Sequence, residues 1–180
     1  MLFRSNAEPG EEGSNVSFGA IVGSGLNSNL VDCGAHATIN LTDKCYFAGI
    51  IAGSVQDDSS IINCIGGGII NAAAYCMEMG GICGAGWDIK EISDCTVDDI
   101  VFNLGYDSNV VGSIAGLIGI SVVEDGGVDP AEISNCSVNN LKINTAGESY
   151  DSADMVGYSY LTEEVMEQYN GSAYTTYERS

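Results

Sequence analysis

Gly80-Gly81-Ile82-Cys83-Gly84, followed at 92–95 by Ile-Ser-Asp-Cys and at 103 by Asn, decides the fold of this chain, because it is one of four copies of a single pattern. Gly19-Ala20-Ile21-Val22-Gly23, Gly49-Ile50-Ile51-Ala52-Gly53 and Gly112-Ser113-Ile114-Ala115-Gly116 carry the first element, with successive copies 30, 31 and 32 residues apart. Leu30-Val31-Asp32-Cys33, Ile61-Ile62-Asn63-Cys64 and Ile133-Ser134-Asn135-Cys136 carry the second, and Asn40, Asn71 and Asn144 the third. Three elements that hold phase through four copies mean one supersecondary unit stacked on itself.

The unit is made of strands. Segments such as Ser60-Ile61-Ile62-Asn63 and Asp99-Ile100-Val101-Phe102-Asn103 are short, β-branched and punctuated by Gly, Asn and Asp, which is strand and turn chemistry. A helical repeat needs long amphipathic runs, and each glycine among residues 80–86 would cost a helix about 1 kcal/mol. A unit with three short strands and three bends sets each copy above the last at roughly 4.8 Å. The expected fold is therefore all-β: a right-handed parallel β-helix solenoid of about four to five coils. Its Ile and Cys columns fill the interior, and Asn40, Asn71, Asn103 and Asn144 stack through amide hydrogen bonds at a bend. The glycines serve turns with positive φ or close backbone approach.

The organisation along the chain follows. Residues 1–15 read as a flexible leader, 16–157 as the β-helix repeat domain and 158–180 as a C-terminal cap or tail. Met155-Val156-Gly157-Tyr158 opens a fifth coil, and 162–169 suits a short capping helix with Thr162 as N-cap. The tyrosines at 158, 160, 169, 174 and 177 help to close that end. Open solenoid ends expose strand edges, so a cap or neighbouring modules of a longer chain are expected.

Composition narrows the partners. A chain of 180 residues that is 45 % hydrophobic builds a real core. Its net charge of −20, with five Lys plus Arg, lacks the basic footprint that nucleic acid requires. No stretch of about 18 apolar residues is present for membrane insertion. Met1-Leu2-Phe3-Arg4 and the polar residues after it do not form a signal-peptide core, so an export signal is expected outside this chain.

Seven cysteines raise the question of bridging. Four occupy one repeat position (Cys33, Cys64, Cys95, Cys136), Cys45 and Cys76 form a second column 31 residues apart, and Cys83 stands alone. No Cys-x-x-Cys is present and His36 is the single histidine, so no zinc set is complete. Buried free thiols acting as small hydrophobes are expected. Stacked Cα atoms about 4.8 Å apart also fall within disulfide range, which leaves bridging open.

The patterns G-A-I-V-G, G-I-I-A-G, G-G-I-C-G and G-S-I-A-G, followed by I-x-N-C, resemble the GLUG repeats of bacterial surface proteins over roughly residues 16–144. The resemblance implies a stalk or binding module of large secreted adhesins and surface-anchored peptidases, with no catalytic motif, and an extracellular or cell-surface location. Heavy cysteine use and an enlarged fourth copy depart from that pattern.

Two features stand out as candidate sites. From Gly116 to Cys136 is 20 residues, against 10 or 11 for the equivalent interval in the other copies. About nine residues have thus been inserted, and loops on a rigid scaffold are common binding sites. Glu124, Asp125, Asp129 and Glu132 are the candidate ligand-binding residues there. The same bend carries Asp57, Asp58, Asp88 and Glu91, which stacking would align in one column. Such carboxylates repel unless screened, or bridged by Ca²⁺ with its six to eight oxygen ligands; a solvated acidic face is the competing reading. No EF-hand loop accompanies them, and no cofactor is required.

Catalysis finds little support. Polysaccharide lyases on β-helices need Arg or Lys, and this chain has only Arg4, Lys44, Lys90, Lys142 and Arg179. A glycosidase pair among Asp94, Asp98 and Asp99 competes with a structural role, since Asp94 falls at a repeat position. His36 has no partner placed by any motif, and Thr38, Thr42 and Thr96 form no ice-binding ladder. The reading is a noncatalytic module for adhesion, ligand binding or spacing, with a host or matrix glycan or protein as partner. A carbohydrate-active β-helix enzyme is the alternative.

Overall fold

The β-branched segments punctuated by Gly, Asn and Asp become short strands in this computed structural model, which describes residues 17–41, 45–72, 76–104, 113–116, 118–122, 132–144, 151–153, 157 and 174–175. The first pass of the chain runs β1 (Ser17–Gly19), β2 (Val22–Leu26), β3 (Asn29–Val31) and β4 (Gly34–Leu41). The second runs β5 (Cys45–Gly49), β6 (Ala52–Gln56), β7 (Ser60–Ile62) and β8 (Ile65–Ala72). The third runs β9 (Cys76–Gly80), β10 (Cys83–Trp87), β11 (Glu91–Ser93) and β12 (Thr96–Leu104). A fourth follows as β13 (Ser113–Ala115), β14 (Ile118–Val122), β15 (Glu132–Ser134), β16 (Ser137–Asn139) and β17 (Lys142–Asn144), and then come β18 (Asp151–Ala153) and β19 (Tyr174–Thr175). No helix occurs among the described residues. The leader at 1–15 and the helix expected at 162–169 lie outside them.

Each strand pairs with its counterpart one pass later. Four sheets result, ordered β1-β5-β9-β13-β18-β19, β14-β10-β6-β2, β15-β11-β7-β3 and β16-β12-β8-β4, with β17 also on β12. Parallel pairing holds throughout the first four passes, as in Leu30 beside Ile61 beside Ile92 beside Ile133. The recurring sequence position is thus a recurring place in the molecule.

The second strand of each later pass folds onto the first strand of the pass before it without room for side chains. A Cβ at Gly84 would meet the Gly53 oxygen at 2.7 Å and the Ala48 oxygen at 2.9 Å, so β5 lies directly on the backbone of β10. The fourth pass shows which residues obey this rule. Ala115 pairs with Gly80 and Ile118 with Cys83, which places Gly119 where the earlier copies have Gly84. A Cβ there would lie 2.7 Å from the Met79 nitrogen. The fourth copy is therefore Ala115-Gly116-Leu117-Ile118-Gly119, three residues later than Gly112-Ser113-Ile114-Ala115-Gly116, which copies the spelling without the position. Gly119 to Cys136 is 17 residues against 11 from Gly84 to Cys95, so the insert is six residues and not nine. The other three enter earlier, since Asn103 to Ala115 is 12 residues where Asn71 to Gly80 is 9.

Left-handed backbone is supplied mostly by Asp and Asn, while the glycines take the other role expected of them, close backbone approach. Asp32, Asn63, Asp94 and Asn135 have φ of 52–55°, one per pass, at the corner before the cysteine. Gly68 is the one glycine with positive φ among the described residues. Short side chains that bond locally make Asp and Asn the L-residues best able to hold this conformation. Asn63 also donates from Nδ2 to Asp32 Oδ1 at 2.6 Å.

The asparagine ladder forms as expected in its bonding, though not in its place. Asn71, Asn103 and Asn144 each donate from Nδ2 to Oδ1 of the asparagine one pass earlier, all at 2.7 Å. These residues lie in β4, β8, β12 and β17 and not at a bend. A bulge sits beside them, where Asp98 and Asp99 together oppose Gly67 between the paired positions Val97–Gly66 and Ile100–Gly68. The fourth pass keeps it: Asn139 and Asn140 donate to Asp98 and Asp99 at 2.8 and 2.9 Å.

The interior is built from β-branched columns. Ile61, Ile70, Ile92, Ile100 and Phe102 are fully buried, and each such side chain contributes about 1.5–3 kcal/mol. A fifth pass begins as expected: β18 pairs parallel with β13, and Gly157 N donates to Ile118 O at 2.9 Å. β19 then pairs antiparallel with β18 and ends that sheet. At the opposite end β2, β3 and β4 close their sheets, and Leu26 is 61 % exposed and Val31 46 % exposed.

Candidate functional site

The acidic bend is formed by the connections between the second and third strands of each pass. Asp57 and Asp88 share one place, joined through Asp57 N to Trp87 O at 3.0 Å, and Asn27 precedes them through Asn27 N to Gln56 O at 3.1 Å. Asp58 N reaches Asp88 O at 2.9 Å. Asn27, Asp57, Asp58 and Asp88 all have φ of 48–51°, a backbone conformation that Asp and Asn hold better than other residues with side chains.

Glu91 and Glu132 stand elsewhere. They head β11 and β15 in direct register, over Ser60 and Asn29. The carboxylates expected in one column therefore fall into two, the aspartates at the left-handed corner and the glutamates at the strand start. Ser93 Oγ lies 3.5 Å from Glu91 Oε2, and Glu132 N donates to Lys90 O at 3.2 Å. No group of three or more His, Cys, Asp or Glu that could hold a metal ion is found among the described residues. Glu124, Asp125 and Asp129 lie outside those residues.

The carboxylates weighed for catalysis have structural employment. Asp94 holds a left-handed corner, while Asp98 and Asp99 accept amide hydrogen bonds from Asn139 and Asn140. His36 is exposed on β4 and lies over Gly67, where a Cβ would come 3.2 Å from the imidazole.

Three groups that the sequence did not single out as a site come together. Phe47 of β5 meets Trp87 of β10 edge to face with centroids 4.7 Å apart, and Tyr46 adjoins them. Ser54 Oγ, buried, lies 3.0 Å from Ser17 Oγ and 3.1 Å from Ser24 Oγ. Glu78, 4 % exposed, shares the column of Phe47. The two-sheet contact responsible is invisible in a one-dimensional repeat.

The cysteine column is intact, with Cys33, Cys64, Cys95 and Cys136 all free thiols. The backbones stay in register, with Ile65 N to Cys33 O, Thr96 N to Cys64 O and Ser137 N to Cys95 O each 2.9 Å. Every sulfur above the first lies 3.5 Å from a carbonyl oxygen of the pass below: Cys64 from Leu30, Cys95 from Ile61 and Cys136 from Ile92. Cys95 Sγ faces the Ser93 and Ile61 oxygens at 3.2 and 3.5 Å and accepts from Cys64 N at 3.5 Å. Hydrogen bonding along the column lowers the Cys64 and Cys136 thiols and raises Cys95. Cys83, buried in the interior, is pushed up to about 12 by desolvation.

No family model, curated protein or solved structure matches this chain. Nothing in those comparisons points to catalysis.

Proposed function

We propose that the chain is a right-handed parallel β-helix solenoid of four to five coils, acting as a noncatalytic spacer or ligand-binding module of a bacterial cell-surface or secreted protein. The strand order, in which every sheet takes each fourth strand of the first four passes, supports the solenoid. The GLUG resemblance supports the setting. The observation that carries the functional reading is the employment of polar side chains as scaffold: the amide ladder, the Asp/Asn corners and the Asp98–Asn139 and Asp99–Asn140 pairs leave no convergent acid–base set among the described residues. A host or matrix glycan or protein is the partner, met on the insert around Glu124, Asp125 and Asp129 or on the neighbouring acidic columns. Calcium is an optional bridge at Asp57, Asp58, Asp88 and Glu91.

Incubation with a panel of host and plant polysaccharides, scored for retention and for new reducing ends, tests the reading. Retention without cleavage is the expected result. Cleavage replaces it with a carbohydrate-active enzyme, and silence in both channels leaves spacing or a protein partner. Asp125→Asn/Asp129→Asn is expected to weaken retention.

A further inference from the structure

The cysteine column has no part in the function proposed above, yet it is a cluster of reactive side chains with a defined spacing. Parallel strands in register hold successive backbones about 4.8 Å apart, and hydrogen bonds of 2.9–3.1 Å before and after the cysteines fix that register. Cα atoms about 4.8 Å apart are also within disulfide reach, but the four cysteines are free thiols. With metal–thiolate bonds of roughly 2.3 Å, a linear sulfur–metal–sulfur unit spans about 4.6 Å, close to the spacing of successive passes.

Coordination number narrows the ion. No group of three or more candidate ligands converges among the described residues, which removes the tetrahedral zinc arrangement. Two stacked thiolates suit a soft ion, and Cu(I) is the soft ion selected by thiolate. Access comes from the ends, since Cys33 and Cys136 are partly exposed whereas Cys64 and Cys95 are buried.

We propose that Cys33, Cys64, Cys95 and Cys136 form two stacked two-coordinate thiolate sites for Cu(I), one ion between Cys33 and Cys64 and one between Cys95 and Cys136. At each site two S–H bonds give way to two Cu–S bonds, both protons leave to solvent, and copper remains Cu(I). Each pair joins one partly exposed sulfur to one buried sulfur.

The test uses the full reduced chain, titrated anaerobically with Cu(I) against a colorimetric Cu(I) chelator, with thiolate-to-copper absorbance as the second readout. Two Cu(I) per chain are expected. Cys33→Ser and Cys136→Ser, at partly exposed positions that leave the core intact, should each lose one ion. The quadruple serine variant should lose both while keeping Cys45, Cys76 and Cys83, with far-UV dichroism checking its fold. X-ray absorption should find two sulfurs on each copper. Unchanged stoichiometry in the two single variants, or three or more sulfurs per copper, overturns the proposal. So does quantitative loss of two hydrogens per pair on treatment with glutathione disulfide without disturbance of the fold, because the column would then be built for bridging.

Discussion

Each pass of this chain has two halves that obey opposite rules. Where β5 lies on β10, conformation depends on side chains being absent, and the backbones of Ala48 and Gly53 occupy the volume a Cβ at Gly84 would need. Where β11 turns into β12, a side chain is tolerated in left-handed backbone, with Asp94 at φ 55°. The first rule is steric and unforgiving, while the second is a preference of about 1–2 kcal/mol. Tolerance to mutation should therefore differ sharply between neighbouring corners of the same pass.

Gly84→Val breaks the steric half and is expected to abolish cooperative folding, exceeding the roughly 1–3 kcal/mol of ordinary overpacking. Gly34→Val is its control: a Cβ there meets only the Ile65 oxygen, at 4.0 Å, and thermal melting should barely change. Ile92→Ala removes a fully buried side chain between Ile61 and Ile133 and should cost about 2–5 kcal/mol in a denaturant titration.

The polar half yields smaller effects. Asn71→Ala cuts the ladder on both sides and should cost about 1–3 kcal/mol; Asn144→Ala, which loses one exposed bond, should cost less. Asp94→Ala should cost about 1–2 kcal/mol, with Asp94→Asn near neutral because the corner accepts either residue. A large penalty for Asp94→Asn would assign its carboxylate a task beyond the backbone. The smallest effect belongs to Glu91→Gln, which relieves the register repulsion with Glu132. A gain of about 0.2–1 kcal/mol that fades at high salt is expected in melts with a chelator present. Reversal of its sign when calcium is added would mark the two glutamates as a bridged pair.

The sequence made the period, the strands and the amide ladder legible because stacking turns a repeated position directly into a contact. It misplaced the fourth copy because Gly112-Ser113-Ile114-Ala115-Gly116 satisfies the same spelling, and only the approach of Met79 to Gly119 separates the two registers. It offered the glycines either positive φ or close backbone approach, and the second is what most of them serve, while the recurring Asp/Asn before each cysteine marks the left-handed corners. The acidic bend was half legible. Its residues were found, but the split into aspartate and glutamate columns depends on where each strand begins, which a list of charges does not encode. The contact of Phe47 with Trp87 joins two sheets and had no periodic signature.

The asparagine ladder gives the molecule a direction. Every amide donates toward the preceding pass, so the side-chain dipoles add head to tail and polarise one another. Within the ladder, Asn40 leaves its amino group unused and Asn144 its oxygen. A module stacked before Asn40 would extend the ladder with an acceptor, and one stacked beyond Asn144 would extend it with a donor. The two ends are thus unlike connectors, and an inverted neighbour would set donor against donor or oxygen against oxygen.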